Sequence, residues 1–177
     1  MRIIGGKYKG RIITANKKFS SRPTTDQAKE ALFNILENRY DLSGMKILDL
    51  FSGTGSIGYE FVSRGAGEVI FVEKDFRGVR HIRETFKKLE IANAQAICVD
   101  TFKYLKGCRQ KFDIVFADPP FDAPYIVEIP KSVFDAEILK EGGLFILEHP
   151  KSYNFSGLPF FTELRKYGKV NFSFFSK

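Results

Sequence analysis

From Lys46 onward, short apolar runs closed by an acid or a turn residue alternate with stretches whose apolar residues recur at helical spacing. The runs are Ile47–Phe51, Val69–Glu73, Ala96–Asp100, Phe112–Asp118 and Leu144–Glu148. Helices are predicted between them near Ile57–Arg64, Phe76–Glu90, Thr101–Leu105 and Ser132–Lys140. Repeated strand–helix units predict an open α/β sheet of parallel strands with helices on both faces. The end of the chain breaks that rhythm. Phe160–Tyr167 and Val170–Phe175, joined at Gly168, predict an antiparallel hairpin.

Upstream of Lys46 the pattern differs again. Ile3–Ile4 and Ile12–Ile13 flank Gly5-Gly6 and Gly10, which predicts a hairpin over residues 1–14. A polar stretch, 15–24, leads through Arg22-Pro23-Thr24-Thr25 into a helix expected from Asp26 to Asn38. Ala28, Ala31, Leu32, Ile35 and Leu36 form its apolar stripe, with Thr25 or Asp26 placed to cap it. The chain is thus expected to divide into a basic extension, 1–24, and a catalytic domain, 25–177. Between Phe121 and Ser132, Pro124 and Pro130 interrupt any regular helix.

With 177 residues, 44% of them hydrophobic, the chain can build one domain with a single core and a short extension. The net charge is +7, and its placement says more than its size. Arg2, Lys7, Lys9, Arg11, Lys17, Lys18, Arg22 and Lys29 crowd the first 29 residues against one acid, Asp26. Such a field attracts phosphates regardless of base sequence, although a merely solvated face has the same composition. Cys98 and Cys108 stand in no ligand spacing, so neither a disulfide framework nor a metal site is expected; Cys98, in an apolar run, is expected in the core. The start lacks the apolar segment of a signal peptide and no run is long enough to span a bilayer, so a cytoplasmic protein without membrane contact is expected.

Asp49-Leu50-Phe51-Ser52-Gly53-Thr54-Gly55-Ser56-Ile57-Gly58 follows the first strand and opens a helix. Glycines there let a ligand approach the backbone, and the helix start offers free N–H groups. The segment from Gly53 to Gly58 also matches the dinucleotide fingerprint G-x-G-x-x-G, with Glu73 at the usual offset of about 20 residues. A nicotinamide- or flavin-linked enzyme is therefore a competing reading. Asp49 argues against it, because an acid at the strand end repels a pyrophosphate and suits a cation such as the amino-acid part of S-adenosylmethionine. Glu73 can bind ribose hydroxyls in either case. Asp100 is placed either to accept from an adenine amino group or to cap the next helix.

Asp118-Pro119-Pro120-Phe121 ends a strand, Phe112–Ala117, whose composition suits burial on both faces. Two prolines fix the backbone and remove two N–H donors, leaving carbonyls to face a ligand. Asp118 brings an acceptor to the carboxyl end of a parallel strand, where open α/β sheets bind ligands, and Phe121 brings a flat ring. The set suits an exocyclic amine on a base: carboxylate and carbonyl accept from –NH2 while the ring stacks. Such an amine is a poor nucleophile because its lone pair is delocalised. Acceptors on it favour a geometry in which the lone pair can attack a sulfonium methyl and stabilise the charge that develops. A rigid loop with a capping Asp is the plain structural alternative. His81 is expected on a solvated helix face and His149 outside the chemistry; Phe172, Phe174 and Phe175 are expected in strand core.

Taken together, these motifs resemble the bacterial small-subunit (16S) ribosomal RNA guanine-N2 methyltransferase family, over nearly the whole chain. Arg2-Ile3-Ile4-Gly5-Gly6-Lys7-Tyr8-Lys9-Gly10-Arg11 is similar to that family's basic hairpin. Arg22-Pro23-Thr24-Thr25-Asp26 with Lys29–Leu36, the glycine loop, Ser63-Arg64-Gly65-Ala66, Val72-Glu73-Lys74-Asp75 and Asp118–Phe121 follow in family order. The resemblance implies a class I methyltransferase (Rossmann-like) seven-stranded sheet with an antiparallel last strand. It implies S-adenosyl-L-methionine as cofactor, held by Thr24, Asp49, Phe51, Gly53, Gly55, Glu73, Lys74, Asp100 and Thr101. Asp118, Pro119, Pro120 and Phe121 would hold the guanine, and Arg2, Lys7, Lys9, Arg11 and Arg22 the phosphates of small-subunit RNA, within an assembled or assembling subunit. The alternatives in competition are amino-group methylation of DNA adenine or cytosine or of a protein glutamine, an NAD-linked oxidoreductase, and a non-catalytic RNA-binding assembly factor.

Overall fold

The computed structural model describes residues 1–14 and 25–177. In chain order its elements are α1 (Asp26–Arg39), β1 (Lys46–Leu50), α2 (Ser56–Ser63), β2 (Glu68–Glu73), α3 (Phe76–Leu89), β3 (Ala94–Cys98), α4 (Thr101–Gly107), β4 (Phe112–Ala117), α5 (Ile129–Asp135), β5 (Leu139–Pro150), β6 (Phe161–Tyr167) and β7 (Val170–Ser176). A 3-10 turn, Ile126–Glu128, precedes α5. The strands form one sheet in the order β3-β2-β1-β4-β5-β7-β6. β7 alone runs against the rest, pairing antiparallel with β5 on one side and β6 on the other. This is the expected class I methyltransferase sheet.

Side-chain alternation along each strand divides the interior into two layers. Ile47, Val69, Phe71, Ile114, Phe116, Ile146 and Phe172 face α1, α2 and α3, meeting Leu32, Phe33, Phe61, Val79 and Ile82. Leu48, Leu50, Ile70, Val115, Phe145, Leu147 and Phe175 face the other way, toward Leu105 of α4 and Ile129 and Val133 of α5. Phe172, Phe174 and Phe175 are core, as their spacing predicts. The order in which successive strands are added reverses between the parallel neighbours β1 and β4, which opens a crevice beyond their carboxyl ends.

Several boundaries differ from the sequence expectation. The helix expected over Ser132–Lys140 is α5, Ile129–Asp135, and β5 already begins at Leu139. Pro130 sits in the first turn of α5, where no backbone N–H is needed, so it starts the helix instead of interrupting it. The early part of β5 is hidden because Phe112 pairs with Leu139 and Ile114 with Leu144, so the intervening Lys140–Gly143 bulges out of register. Cys98 is exposed, not core, because β3 is the edge strand and its last residue turns to water; Cys108 is the buried one. His81 is half-buried and not on a solvated face, and the loss of water lowers its pKa.

The first residues form the expected hairpin, with one β-bridge, Arg2 to Ile12. Ile3 N–H donates to Arg11 O (3.0 Å) and Ile13 N–H to Met1 O (3.0 Å). Ile3 and Ile13 drop into the layer shared with α1 and α2. The hairpin thereby lies along α2: Ile4 N–H donates to Glu60 Oε1 (2.8 Å), Lys7 N–H to Ser63 O (2.7 Å) and Tyr8 N–H to Ser63 Oγ (2.9 Å). Gly6, at φ +70°, passes so close that a Cβ there would stand 1.9 Å from the Ser63 carbonyl oxygen.

Candidate active site

A cleft of about 1100 Å³ opens at the crevice. It is lined by Asp49, Phe51, Gly53, Thr54, Glu73, Lys74, Asp100 and Thr101 together with Asp118–Phe121. Seven of the nine residues expected to hold a cofactor are not only near each other but share one surface with the whole tetrapeptide, and Ser52 and Ser56 join them. Gly55 does not border the cleft. It is the residue before α2, at φ +87°, and turns the chain from loop to helix in a conformation that favours glycine. Thr24 lies outside the described residues.

Gly55 has no side chain to cap α2, and Asp49 takes over that task. Its Oδ2 accepts from Gly58 N–H, 3.0 Å away, at the third helical position. Asp49 is 2% exposed, and burial pushes its pKa up to about 8, against the opposing pull of the Gly58 and Ser52 hydrogen bonds. The helix terminus that would receive a pyrophosphate in a dinucleotide site is already occupied by a carboxyl group. A cation beside it would restore its ionised form; an anion would be repelled.

Glu73 closes β2. Its two oxygens accept from Gly53 N–H and Asp75 N–H, both at 2.8 Å, which fastens the glycine loop to the second strand. Asp100 caps α4, accepting from Lys103 N–H at 3.1 Å, so the capping role read from its position is real while it also borders the cleft. Thr101 is buried and Lys74 exposed on the same wall. Phe51, at φ +57°, stacks on Tyr125 with ring centroids 6.2 Å apart, and Phe102 meets Tyr125 edge-on at 5.3 Å.

The tetrapeptide is tied to the glycine loop's own strand through Asp118 N–H, which donates to Leu50 O (3.3 Å). Pro119 is buried while Pro120 and Phe121 are exposed at the rim. The carbonyl of Pro120 accepts from Ala123 N–H (2.9 Å), which closes a turn. Asp118 itself has further contacts with the protein.

Sequence reasoning missed several residues of the cleft. Glu148 is 1% exposed at the end of β5 yet borders it. Tyr125 arrives from the interrupted segment, and Tyr167–Val170, the turn between β6 and β7, also borders the cleft. For Glu148 the available signal was an acid closing an apolar run, the same signal that marked Glu73 and Asp118. His149 points into the opposite layer, where its Nε2 lies 2.7 Å from Ser173 Oγ and burial lowers its pKa.

Arg2, Lys7, Lys9 and Arg11 are exposed on the docked hairpin, outside the cleft, and Arg2 stands 4.0 Å from Asp26. Arg22 lies outside the described residues. Lys29, counted with the basic face by sequence, is buried instead, donating to Arg2 O (2.7 Å) and lying 3.0 Å from Glu60. Among the described residues no group of three or more His, Cys, Asp or Glu gathers around a metal-sized space, and no helix is long and apolar enough to cross a membrane.

Comparison with known proteins places this geometry. The family described as "Conserved hypothetical protein 95" matches residues 1–176. A Bacillus subtilis (strain 168) protein, provisionally named rRNA methyltransferase YlbH, is 34% identical over 155 residues, 85% of this chain and 83% of that one. Ribosomal RNA small subunit methyltransferase D of Escherichia coli K12 is 30% identical over 148 residues, 84% of this chain and 74% of that one. A Thermus thermophilus protein of solved structure superposes with TM-score 0.87 at 29% identity, covering 99% of this chain and 98% of that one. The T. thermophilus 16S rRNA N2 G1207 methyltransferase, solved with AdoMet and guanosine, shares the fold at TM-score 0.71 and 24% identity, over 89% of this chain and 45% of that one.

Proposed function

Because the chain belongs to the conserved hypothetical protein 95 family, whose relatives include ribosomal RNA small subunit methyltransferase D, we propose that it methylates N2 of a guanine in small-subunit ribosomal RNA, using S-adenosylmethionine. The observation that carries this reading is the shared cleft: Asp118-Pro119-Pro120-Phe121 lines the same space as the buried Asp49.

The cleft residues outside the tetrapeptide fit the cofactor. Asp49 is a carboxyl group whose charge is penalised by burial, and the cofactor's ammonium group would offset that penalty. Glu73 spends one lone pair of each oxygen on backbone N–H groups and keeps the others for ribose hydroxyls. Asp100 caps α4 through Oδ1 and keeps Oδ2 for an adenine amino group. Phe51, Lys74 and Thr101 border the same space, Gly53 lets the backbone approach, and Thr24 is assigned there by family position alone. When bound, S-adenosylmethionine supplies an electrophilic methyl group.

At the tetrapeptide the chain's own groups act on the amine. The Asp118 carboxylate and the Pro119 carbonyl accept its two N–H bonds, which turns the nitrogen lone pair out of the ring's conjugation. Asp118 stabilises the positive charge that builds on that nitrogen and takes the proton it sheds. Phe121 offers its ring to the base. Arg2, Lys7, Lys9, Arg11 and Arg22 hold RNA phosphates and so orient the substrate without reading its sequence. A ribosomal substrate fits a protein working in the cytoplasm, on a small subunit assembled or assembling.

The test is transfer of tritiated methyl groups from S-adenosylmethionine to separated RNA, DNA and protein fractions, followed by nucleoside mass spectrometry. Label in small-subunit RNA recovered as N2-methylguanosine is expected. Label confined to DNA or protein, or recovered on another base, contradicts the reading.

A further inference from the structure

We infer that Glu148 selects guanine, its carboxylate accepting from the N1–H of the target base beside the amino group held by Asp118. This rests on the reading of the cleft as a guanine N2 methylation site.

The sheet register puts the two acids together. β4 and β5 pair Phe116 with Ile146 and Ala117 with Leu147, so one residue further Glu148 comes beside Asp118 on the neighbouring strand. Alternation turns both toward the layer of Phe116 and Ile146, and both border the cleft. Glu148 is held there on its other side by β7, opposite Phe172. It is 1% exposed, a costly place for a carboxyl group and one that no part of the amine-holding chemistry requires. It has contacts of its own with the protein, and a carboxylate offers about four acceptor sites, so a base N–H can be taken in addition.

The tetrapeptide by itself does not choose a base, since adenine N6, cytosine N4 and guanine N2 all present the same –NH2. The neighbouring ring nitrogen does differ. Of the two ring nitrogens flanking the guanine amine, N1 carries a hydrogen, so on that edge amine and ring offer two donors side by side. In adenine and cytosine the flanking nitrogen is a bare lone pair. Two acceptors on adjacent strands match the first pattern and repel the second. Sites built to receive a substrate N–H discriminate strongly against analogues that lack it, because buried acceptors are then left unpaired.

The experiment uses a small-subunit RNA fragment that the wild-type protein methylates, with the target guanine replaced by 2-aminopurine. That base keeps the N2 amine and loses N1–H. The wild-type protein is expected to favour guanine by about 10²-fold or more in kcat/KM. Glu148→Gln, whose amide can turn to donate to a bare nitrogen, should shrink that preference at least about tenfold, by losing rate on guanine and not on 2-aminopurine. Equal use of both bases by wild type overturns the inference, as does an unchanged preference in a Glu148→Gln protein with a wild-type melting curve. Should that variant fail to fold, the wild-type ratio decides alone. A wild-type protein that methylates no guanine N2 in any small-subunit RNA overturns the functional reading, and this inference with it; a preference indifferent to Glu148 overturns the inference only.

Discussion

The Nζ of Lys29 lies 3.0 Å from Oε1 of Glu60, with the two side chains 1% and 0% exposed. Lys29 also donates to Arg2 O and to Ser56 Oγ, while Glu60 accepts from Ile4 N–H and pairs with Arg64. One buried ion pair therefore joins α1, α2 and the N-terminal hairpin, and through Ser56 it reaches the cleft. Removing one member leaves the other buried and poorly matched, typically at a cost of about 3–5 kcal/mol. Lys29→Met should fall near the lower bound, about 3 kcal/mol, because Arg64 still meets Glu60. Denaturant unfolding monitored by circular dichroism checks this; an unchanged midpoint would mean that the pair does not hold the hairpin down.

The hairpin's backbone is fixed by α2, so its exposed cations are presented at set positions. Lys9→Ala with Arg11→Ala should weaken RNA binding and reduce the slope of log K against log salt by about 1–2. Fluorescence anisotropy across a salt series measures both. A slope equal to wild type would remove these residues from the RNA contact.

Asp49 gives the cleft a pH signature. Its folded pKa, about 8, lies above the ordinary value of 3.8, so between those limits the folded protein holds a proton that the unfolded chain has lost. Stability from this group is therefore full below the lower value and declines as pH rises toward the upper one. Asp49→Asn, which cannot ionise, should flatten the fall in melting temperature between about pH 4 and 8. Cofactor binding should run the other way in wild type, strengthening as Asp49 ionises, with the difference between wild type and Asp49→Asn isolating this group from the ligand's own amine. Calorimetry in buffers of different ionisation enthalpy reads the released proton. Identical pH profiles for the two proteins would remove Asp49 from the cofactor's surroundings.

Much of this was legible in the chain because buried parallel strands write themselves as apolar runs that end at or near acids. Glu73 and Asp118 close their runs and Asp49 stands two residues before the end of its own, and the structure brings all three to one cleft. What stayed hidden depends on tertiary placement. Pro130 looks like an interruption until it is seen in the first turn of α5. Lys29 looks like one more cation of the basic face until Glu60, on another helix, meets it. Tyr167–Val170 belongs to an ordinary hairpin turn, and only the insertion of β7 between β5 and β6 carries that turn to the cleft wall. Cys98 shows the converse, since an apolar run predicts burial but cannot tell an edge strand from a central one.

The most direct test compares Asp118→Ala with wild type in two measurements on the same preparation: single-turnover methyl transfer to small-subunit RNA, and S-adenosylhomocysteine affinity by calorimetry. Transfer should slow by about 10²-fold or more while affinity stays within about threefold, because the proposed role of Asp118 is on the amine. Transfer at the wild-type rate, or an equal loss of both quantities, would contradict that role.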